Sequence, residues 1–430
     1  MLVFEETRRM SSAPEDIERL KSMIKRDRNH PSIFLWGIGN EEIFSQHRSE
    51  TALTTLTMKA EIKKLDPTRP ITSAVVCWDG EQRYDNARMY MDVTKNLDVM
   101  GFNYCANAWD DYHTQISNQP VIITEASSNS GTRGCYSTDE AKGHYFILDD
   151  ENRNKCLSGE KAVKKDVGEN TWKKFAESDY LSGIFLWTGM DYRGEPTPLR
   201  YPAVYSQFGI FDYCGFPKDN YYYYKSWWQN ENVLHIFPHW NLQGHEGEKV
   251  DIWAYSNCDE VELIVNGKKI GRKSMPKNGH LSWTAVYEPG MVKAIGYKNG
   301  KKVMTQEIET TGEPARIVLT PDHSVFRSDI KKDVVVVCVE LQDKKGRFVP
   351  TACNELEFTV TGPVRILGVG NGSPAYQSTE RPSDVNARTY QVKTFNGLAQ
   401  ILLQSTGEEG EVTMTVSSEN INDAFLVLKH

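Results

Sequence analysis

Apolar and polar positions follow one grammar over roughly the first half of the chain and another over the rest. At the start, Met1-Leu2-Val3-Phe4 is a short apolar run closed by Glu5-Glu6, the pattern of a buried strand. Ser12-Ala13-Pro14-Glu15 then reads as a capping box, with Pro at the helix start and Glu three residues after Ser12. Ile17, Leu20 and Ile24 share one helical face, and the helix stops before His30-Pro31. The run from Ile33 to Ile38 is too apolar to have a wet face, which suits a parallel sheet covered by helices. The alternation repeats. A helical stretch over 51–65 ends at Asp66-Pro67, and strands are expected over 71–76, 97–102 and 121–124. A long polar insertion follows, then a helix near 170–178 and a strand over 184–187. Strands alternating with helices predict an α/β domain over residues 1–232.

Beyond about residue 232 the period becomes two. Val250, Ile252 and Ala254 alternate with other partners, as do Val261, Leu263 and Val265. Asn266-Gly267 and Asn299-Gly300 are hairpin turn signals. Short strands with no helical period predict a β-sandwich over 233–311. Thr310-Thr311-Gly312-Glu313-Pro314 reads as a linker. The runs 334–339, 356–360 and 398–403 then predict a second, immunoglobulin-like sandwich over 312–430.

Composition narrows the classes of function. Lys plus Arg is 50 against 58 Asp plus Glu, a net charge of −8, which argues against nucleic acid or an anionic membrane surface as partner. No stretch approaches the ~18–20 continuous apolar residues of a membrane span. Aromatic residues make up 11 %, which hints at ring-stacking ligands such as sugars, although aromatics serve cores more often. Eight cysteines are scattered without a C-x-x-C pair or metal-like spacing and read as mostly buried thiols. There is no P-loop and no H-E-x-x-H. Gly368-Val369-Gly370-Asn371-Gly372 has Ser373 where a dinucleotide loop needs its third glycine, so it reads as a turn. The first residues lack the basic start and cleavage site of a signal peptide and read as a strand inside a domain.

The candidate chemistry lies at strand ends. Three apolar strands run into Gly39-Asn40-Glu41-Glu42, Thr124-Glu125 and Trp187-Thr188-Gly189-Met190-Asp191-Tyr192. In a βα barrel such C-terminal ends converge on one face. Two glutamates there could flank one sugar, one protonating the leaving oxygen and the other attacking or activating water. A glutamate after a buried strand is also a common helix-cap or ion-pair residue, so placement alone leaves both readings open.

Longer motifs weigh on that choice. Arg26-Asp27-Arg28-Asn29-His30-Pro31-Ser32, the apolar strand and Gly39-Asn40-Glu41 together resemble the acid/base signature of glycoside hydrolase family 2, the family of β-galactosidases, β-glucuronidases and β-mannosidases. Thr124-Glu125 resembles its nucleophile strand, with Ala126, Ser127 and Arg133-Gly134 following. The run from Gly183 to Tyr192, with Gly194-Glu195-Pro196-Thr197-Pro198, resembles the last barrel strand of bacterial β-galactosidase-like members. Phe208-Gly209-Ile210-Phe211-Asp212, Gly215-Phe216-Pro217-Lys218-Asp219 and the aromatic stretch to Trp228 continue it. So do His239-Trp240-Asn241 and the run from Tyr255 to Leu263, which resembles the start of an accessory sandwich.

The resemblance implies a partial (β/α)8 TIM barrel of about six strands, in which the strand at Leu2–Glu5 resembles the family's third, followed by two β-sandwiches. The family's first two barrel strands and its preceding sandwiches have no counterpart in the sequence. It implies a retaining glycosidase acting on terminal β-linked sugars, with β-galactosides foremost and an oligo- or polysaccharide substrate. Residue by residue, Glu41 resembles the general acid/base and Glu125 the nucleophile, with carboxyls ~5–5.5 Å apart. Asn40 resembles the residue that bonds the sugar 2-hydroxyl, Tyr104 the tyrosine touching the nucleophile, and Trp187 the wall under the sugar. Asp191 would hold the sugar or fix its own loop. In this reading Glu41 carries the proton at neutral pH and Glu125 the charge. Thr7-Arg8-Arg9-Met10-Ser11 offers no acid or histidine where the family places a divalent metal, so neither a metal nor a cofactor is expected. The family's location suggests a periplasmic or secreted protein, and a homo-oligomer is possible. One alternative is a β-glucuronidase, but the Asn-x-Lys element those enzymes use for the sugar carboxylate is unmatched over 212–218. Another is a remnant that binds carbohydrate without cleaving it.

Overall fold

The computed structural model describes residues 1–42, 45–46, 48–76, 91–116, 118–128, 130–146, 168–327, 329–330 and 332–429. Cys77, Cys156 and most of the polar insertion after residue 146 lie outside these. The chain divides into two compact units, one of residues 1–128 with 170–187 and one of 129–169 with 188–430.

The first unit is built on a six-stranded sheet in the order β1 (Val3–Glu6), β2 (Ile33–Asn40), β3 (Ile71–Val76), β4 (Met100–Asn103), β5 (Val121–Ala126) and β6 (Leu181–Leu186). Every neighbouring pair is parallel. Helices α1 (Pro14–Asp27) and α2 (Ser49–Leu65) return the chain between strands and cover one face. Leu20 and Ile24 of α1 and Met58 and Ile62 of α2 pack with Trp36, Ile38 and Ile71 in one fully shielded cluster. Each such side chain contributes about 1.5–3 kcal/mol on burial. A second cluster joins Val75, Phe102, Trp109, Val121 and Ile123.

The other face is the inside of a curl. A Cβ at Gly37 would meet the Phe4 ring at 2.7 Å and the Glu6 Cβ at 3.0 Å, so Phe4 and Glu6 share one face of β1. The rings of Phe4 and Phe185, from the two ends of the strand order, lie 6.0 Å apart. Their strands do not pair among the described residues. The sheet is therefore a partial barrel whose edge strands meet through side chains rather than through backbone hydrogen bonds.

Two local expectations change. The N-cap of α1 is Ala13, without a side-chain cap bond. Pro14 occupies the first helical turn, which moves the start one residue past Ser12, and it is Ser11 Oγ that accepts a hydrogen bond, from Ala13 N. The glycine run at 368–372 is not all turn: Val364–Gly370 is a strand with a register shift between Ile366 and Gly368, and the turn begins at Asn371.

The second unit contains two pairs of antiparallel sheets. The first pair joins β7 (Leu234–Phe237), β8 (Lys249–Ser256), β9 (Glu260–Val265), β10 (Lys268–Ser274), β11 (Leu281–Val286), β12 (Met291–Lys298) and β13 (Lys301–Glu309) in orders β10-β9-β12-β13 and β11-β8-β7. Its Asn-Gly signals hold: Asn266 and Gly267 have φ 49° and 78°, Asn299 and Gly300 50° and 72°. Such angles match the twist of the flanking strands. The second pair, of eight strands between Arg316 and Lys429, closes over Val335, Val337, Val339, Phe358, Ile401 and Val416. Of the described cysteines, only Cys258 is buried, against the expectation of mostly buried thiols; Cys105, Cys135, Cys214 and Cys338 are partly buried and Cys353 is exposed.

Candidate active site

The site is assembled where the parallel strands end. Beyond Asn40 the chain turns at Glu41, whose φ of 51° lies in the left-handed region. A non-glycine residue there costs about 1–3 kcal/mol. Glu41 N donates to Ala74 O at 2.9 Å, and Arg8 Nη1 donates to Asn40 O at 2.8 Å, which holds the turn between β1 and β3. β4 ends alike, with Tyr104 and Cys105 at φ 61° and 57° and Tyr104 N donating to Glu125 O at 2.7 Å. Register shifts accompany these turns, between Gly37 and Asn40 against β3 and between Phe102 and Asn103 against β5. The strain and the shifts re-aim side chains that an ideal strand would alternate outward.

What results is a hydrogen-bonded group spanning three strand ends. Asn103, fully buried, donates from Nδ2 to Asn40 Oδ1 at 2.9 Å and to Glu41 Oε1 at 3.1 Å. Its Oδ1 accepts from Thr124 Oγ1 at 2.6 Å. The next residue, Tyr104, donates its hydroxyl to Glu125 Oε2 at 3.1 Å. Asn40 and Glu41 are thus joined through Asn103, and Tyr104 is joined to Glu125. Asn103 links the first pair, and the motifs of the sequence assign it no role. A signal for it does exist there: an asparagine closing the apolar strand Met100-Gly101-Phe102.

Burial and the nearby Glu41 carboxylate push the Glu125 carboxyl up to about 8, against the pull of its hydrogen bonds to Tyr104 and Asn103. That departs from a Glu125 fully ionised at neutral pH. The cause is the shielding of a strand-end carboxyl that faces other carboxyls. Burial and Glu125 drive Tyr104 far above the ordinary phenol range, so it remains a donor.

Trp187 follows β6, and its backbone N donates to Ala126 O at 2.7 Å, beside the strand that carries Glu125. Asp191 belongs to the second unit. It is buried, and its Oδ1 accepts from Lys218 Nζ at 2.8 Å and from Gly209 N at 2.9 Å. Those partners make it a loop-fixing residue. Among the described residues no group of three or more His, Cys, Asp or Glu is arranged to hold a metal ion. Nor is any described helix long and apolar enough to cross a membrane.

Comparison with known proteins bears on this geometry. Residues 4–144 match the family described as "Glycosyl hydrolases family 2, TIM barrel domain", and residues 317–426 match "Glycoside hydrolase family 2 C-terminal domain 5". The chain belongs to glycoside hydrolase family 2. Residues 247–304 match a domain of unknown function. The family 2 relative "Beta-galactosidase BoGH2A" of Bacteroides ovatus is 37 % identical over 95 % of this chain and 50 % of its own. A putative β-glucuronidase of Formosa agariphila is 28 % identical over 93 % of this chain and 38 % of its own. Among solved structures, a β-glycosidase from Bacteroides vulgatus superposes with a TM-score of 0.76 at 28 % identity, covering 96 % of this chain and 53 % of that one. The chain spans about half the length, or less, of these relatives.

Proposed function

We propose that this family 2 chain carries the catalytic residues of a retaining β-glycosidase for neutral sugars, β-galactosides foremost. The observation that carries the reading is the bonded group in which Asn103 reaches Glu41 while Tyr104 reaches Glu125. Glu125 is the nucleophile: a carboxylate oxygen attacks the anomeric carbon as Glu41 protonates the departing oxygen. The reactive form places the proton on Glu41 and the charge on Glu125, where the Tyr104 hydroxyl donates to it. Having given its proton to the leaving group, Glu41 is stable as a carboxylate because glycosylated Glu125 no longer bears a charge, and it takes a proton from water. The water attacks the same face that the leaving group left, and the configuration is retained. Asn40 is suited to the sugar 2-hydroxyl and Trp187 to the apolar face of the ring.

The β-glucuronidase reading draws on relatives so named. A glucuronide needs an available cation for its carboxylate. Lys218, at the end of the stretch that would carry such an element, is buried against Asp191 and the Gly131 carbonyl. This favours a neutral sugar. A panel of chromogenic β-galactosides, β-glucuronides and β-mannosides tests the proposal. Turnover led by the galactoside and lost in Glu125→Gln is expected. Sugar binding without turnover of any member would make the chain a binding module instead.

A further inference from the structure

A cavity of about 630 Å³ opens within the second unit, and no step of the mechanism above uses it. Its size falls in the ~300–1,000 Å³ range of small-molecule sites. The helix Asp219–Trp228, strands β7 and β13 of the first sheet pair, and the loops around Phe348 and Asn396 of the second all contribute to its walls. None of its lining residues belongs to the first unit, which carries Glu41 and Glu125.

Two kinds of group line it. The first is aromatic. The Phe348 ring packs over Gly397, where a Cβ would stand 2.5 Å from Phe348 Cε2, yet Phe348 remains 37 % exposed. Gly397 has a φ of 80°, so a glycine both shapes that turn and makes room for the ring. The Tyr222 ring lies flat on His235, with centroids 3.8 Å apart, and His235 is anchored to Asp219 Oδ1 at 2.7 Å. The second kind is polar and unsatisfied by any described residue. His239 Nδ1 accepts from Asn241 N at 3.3 Å, and burial keeps the ring uncharged near neutral pH, so its Nε2 carries a hydrogen without an acceptor. Asn396 is pinned through Nδ2, which donates to Arg133 O at 2.8 Å, and its Oδ1 has no donor. The Tyr222 hydroxyl also lacks a described partner.

The charges around the cavity are already matched. Arg133 pairs with Asp212, Lys218 with Asp191 and Arg347 with Glu309. Asp219 bonds His235, and Glu307 pairs with Lys293 at 2.7 Å. A phosphate or carboxylate would find each lining cation engaged, and a cationic ligand each lining carboxylate. A wholly apolar ligand would strip water from the His239 donor, the Asn396 acceptor and the Tyr222 hydroxyl and return no bond. A sugar meets both kinds of group, because its C–H face packs on aromatic rings and its hydroxyls donate and accept. We propose that this cavity is a second carbohydrate site, for a neutral mono- or disaccharide, built from residues other than those that carry the reaction. Phe348 and Tyr222 supply the apolar contact, and His239 and Asn396 read the hydroxyls.

The experiment titrates the full chain, carrying 13Cε1-histidine and the Glu125→Gln substitution, with methyl β-galactoside and with lactose. It reads the His239 ring resonance, assigned by its loss in His239→Gln. A saturable shift with a Kd of about 1–10 mM is expected for at least one sugar, rising at least about 10-fold in Phe348→Ala. Should Phe348→Ala not fold, Tyr222→Phe decides: it keeps the ring on His235 and deletes one hydroxyl, and a weakening of about 3–10-fold is expected. No saturable shift with either sugar, or an unchanged Kd in the deciding variant, overturns the proposal. So does an equal response to inorganic phosphate or to phenol, which would make the site anionic or apolar in preference. The readout needs no turnover, so its failure and that of the glycosidase reading are told apart.

Discussion

Glu125 accepts a proton donor, Tyr104, on one oxygen and faces Glu41, so its two protonation states are close in energy near neutral pH. In a turning-over protein, Glu125→Gln should lower kcat/KM at least about 10³-fold and abolish the trapped covalent intermediate, which mass spectrometry of a slow fluoro-sugar reaction would read. Glu41→Ala should cost about 10²–10⁴-fold on poor leaving groups and little on activated ones, with azide speeding the second step. Equal losses across leaving groups would remove Glu41 from the acid role. Asn103→Ala removes the donor shared by Asn40 and Glu41 and leaves the Thr124 hydroxyl without its acceptor. A loss of about 1–3 kcal/mol in denaturant unfolding is expected, together with a fall in kcat larger than any rise in KM, because orientation rather than affinity is lost.

At the scale of elements, strong local signals survived and competing ones did not. The Asn-Gly hairpins formed because two consecutive positive-φ positions need those residues whatever surrounds them. The capping box at Ser12 yielded to Pro14, whose fixed φ starts the helix one residue later. Close approach of strands sets another local limit. A Cβ at Gly101 in β4 would stand 2.5 Å from the Ser73 carbonyl and 2.7 Å from Thr72 Oγ1 on β3. A backbone carbonyl held in a sheet cannot step aside. Gly101→Ala should therefore cost about 1–3 kcal/mol, read as a lower Tm, while an alanine on the exposed face of α1 should be neutral.

At the scale of the molecule, buried ionic groups hold distant parts of the second unit together. Arg133 pairs with Asp212 at 2.7 Å and donates to the carbonyls of Asn371 and Phe395 at 3.0 and 2.8 Å. It thereby ties the segment after β5 to the C-terminal sandwich, more than two hundred residues on. Arg133→Ala should cost about 3–5 kcal/mol, because it strands a buried carboxylate, and Arg133→Lys should not restore the loss, since an ammonium cannot reach that forked set of acceptors. His239 gives the same unit a pH response. Burial lowers its pKa from 6.5 to about 4, so it is neutral when folded and binds a proton more readily when unfolded. Its stabilising contribution is present above about 6.5 and is lost as pH falls toward 4. Thermal melts should show a steeper acid decline for the parent than for His239→Gln; parallel declines would remove His239 as the cause.

Much of the molecule is legible in the order of its residues. The apolar strands, the helical face of α1, the helical stretch of α2, the change of period near residue 232 and the Asn-Gly turns are local properties, written in the spacing of residues that touch their own neighbours. Glu41 and Glu125 are legible too, because each follows an apolar strand within a recognisable motif. Only the tertiary structure decided what those carboxyls meet. Asn103 met Glu41 and Thr124 by sitting between two strand ends, and Asp191 met Lys218, 27 residues away. Hydrogen bonds and burial depend on distances through space, and a spacing along the chain says nothing of which turn or register shift will bring two side chains together.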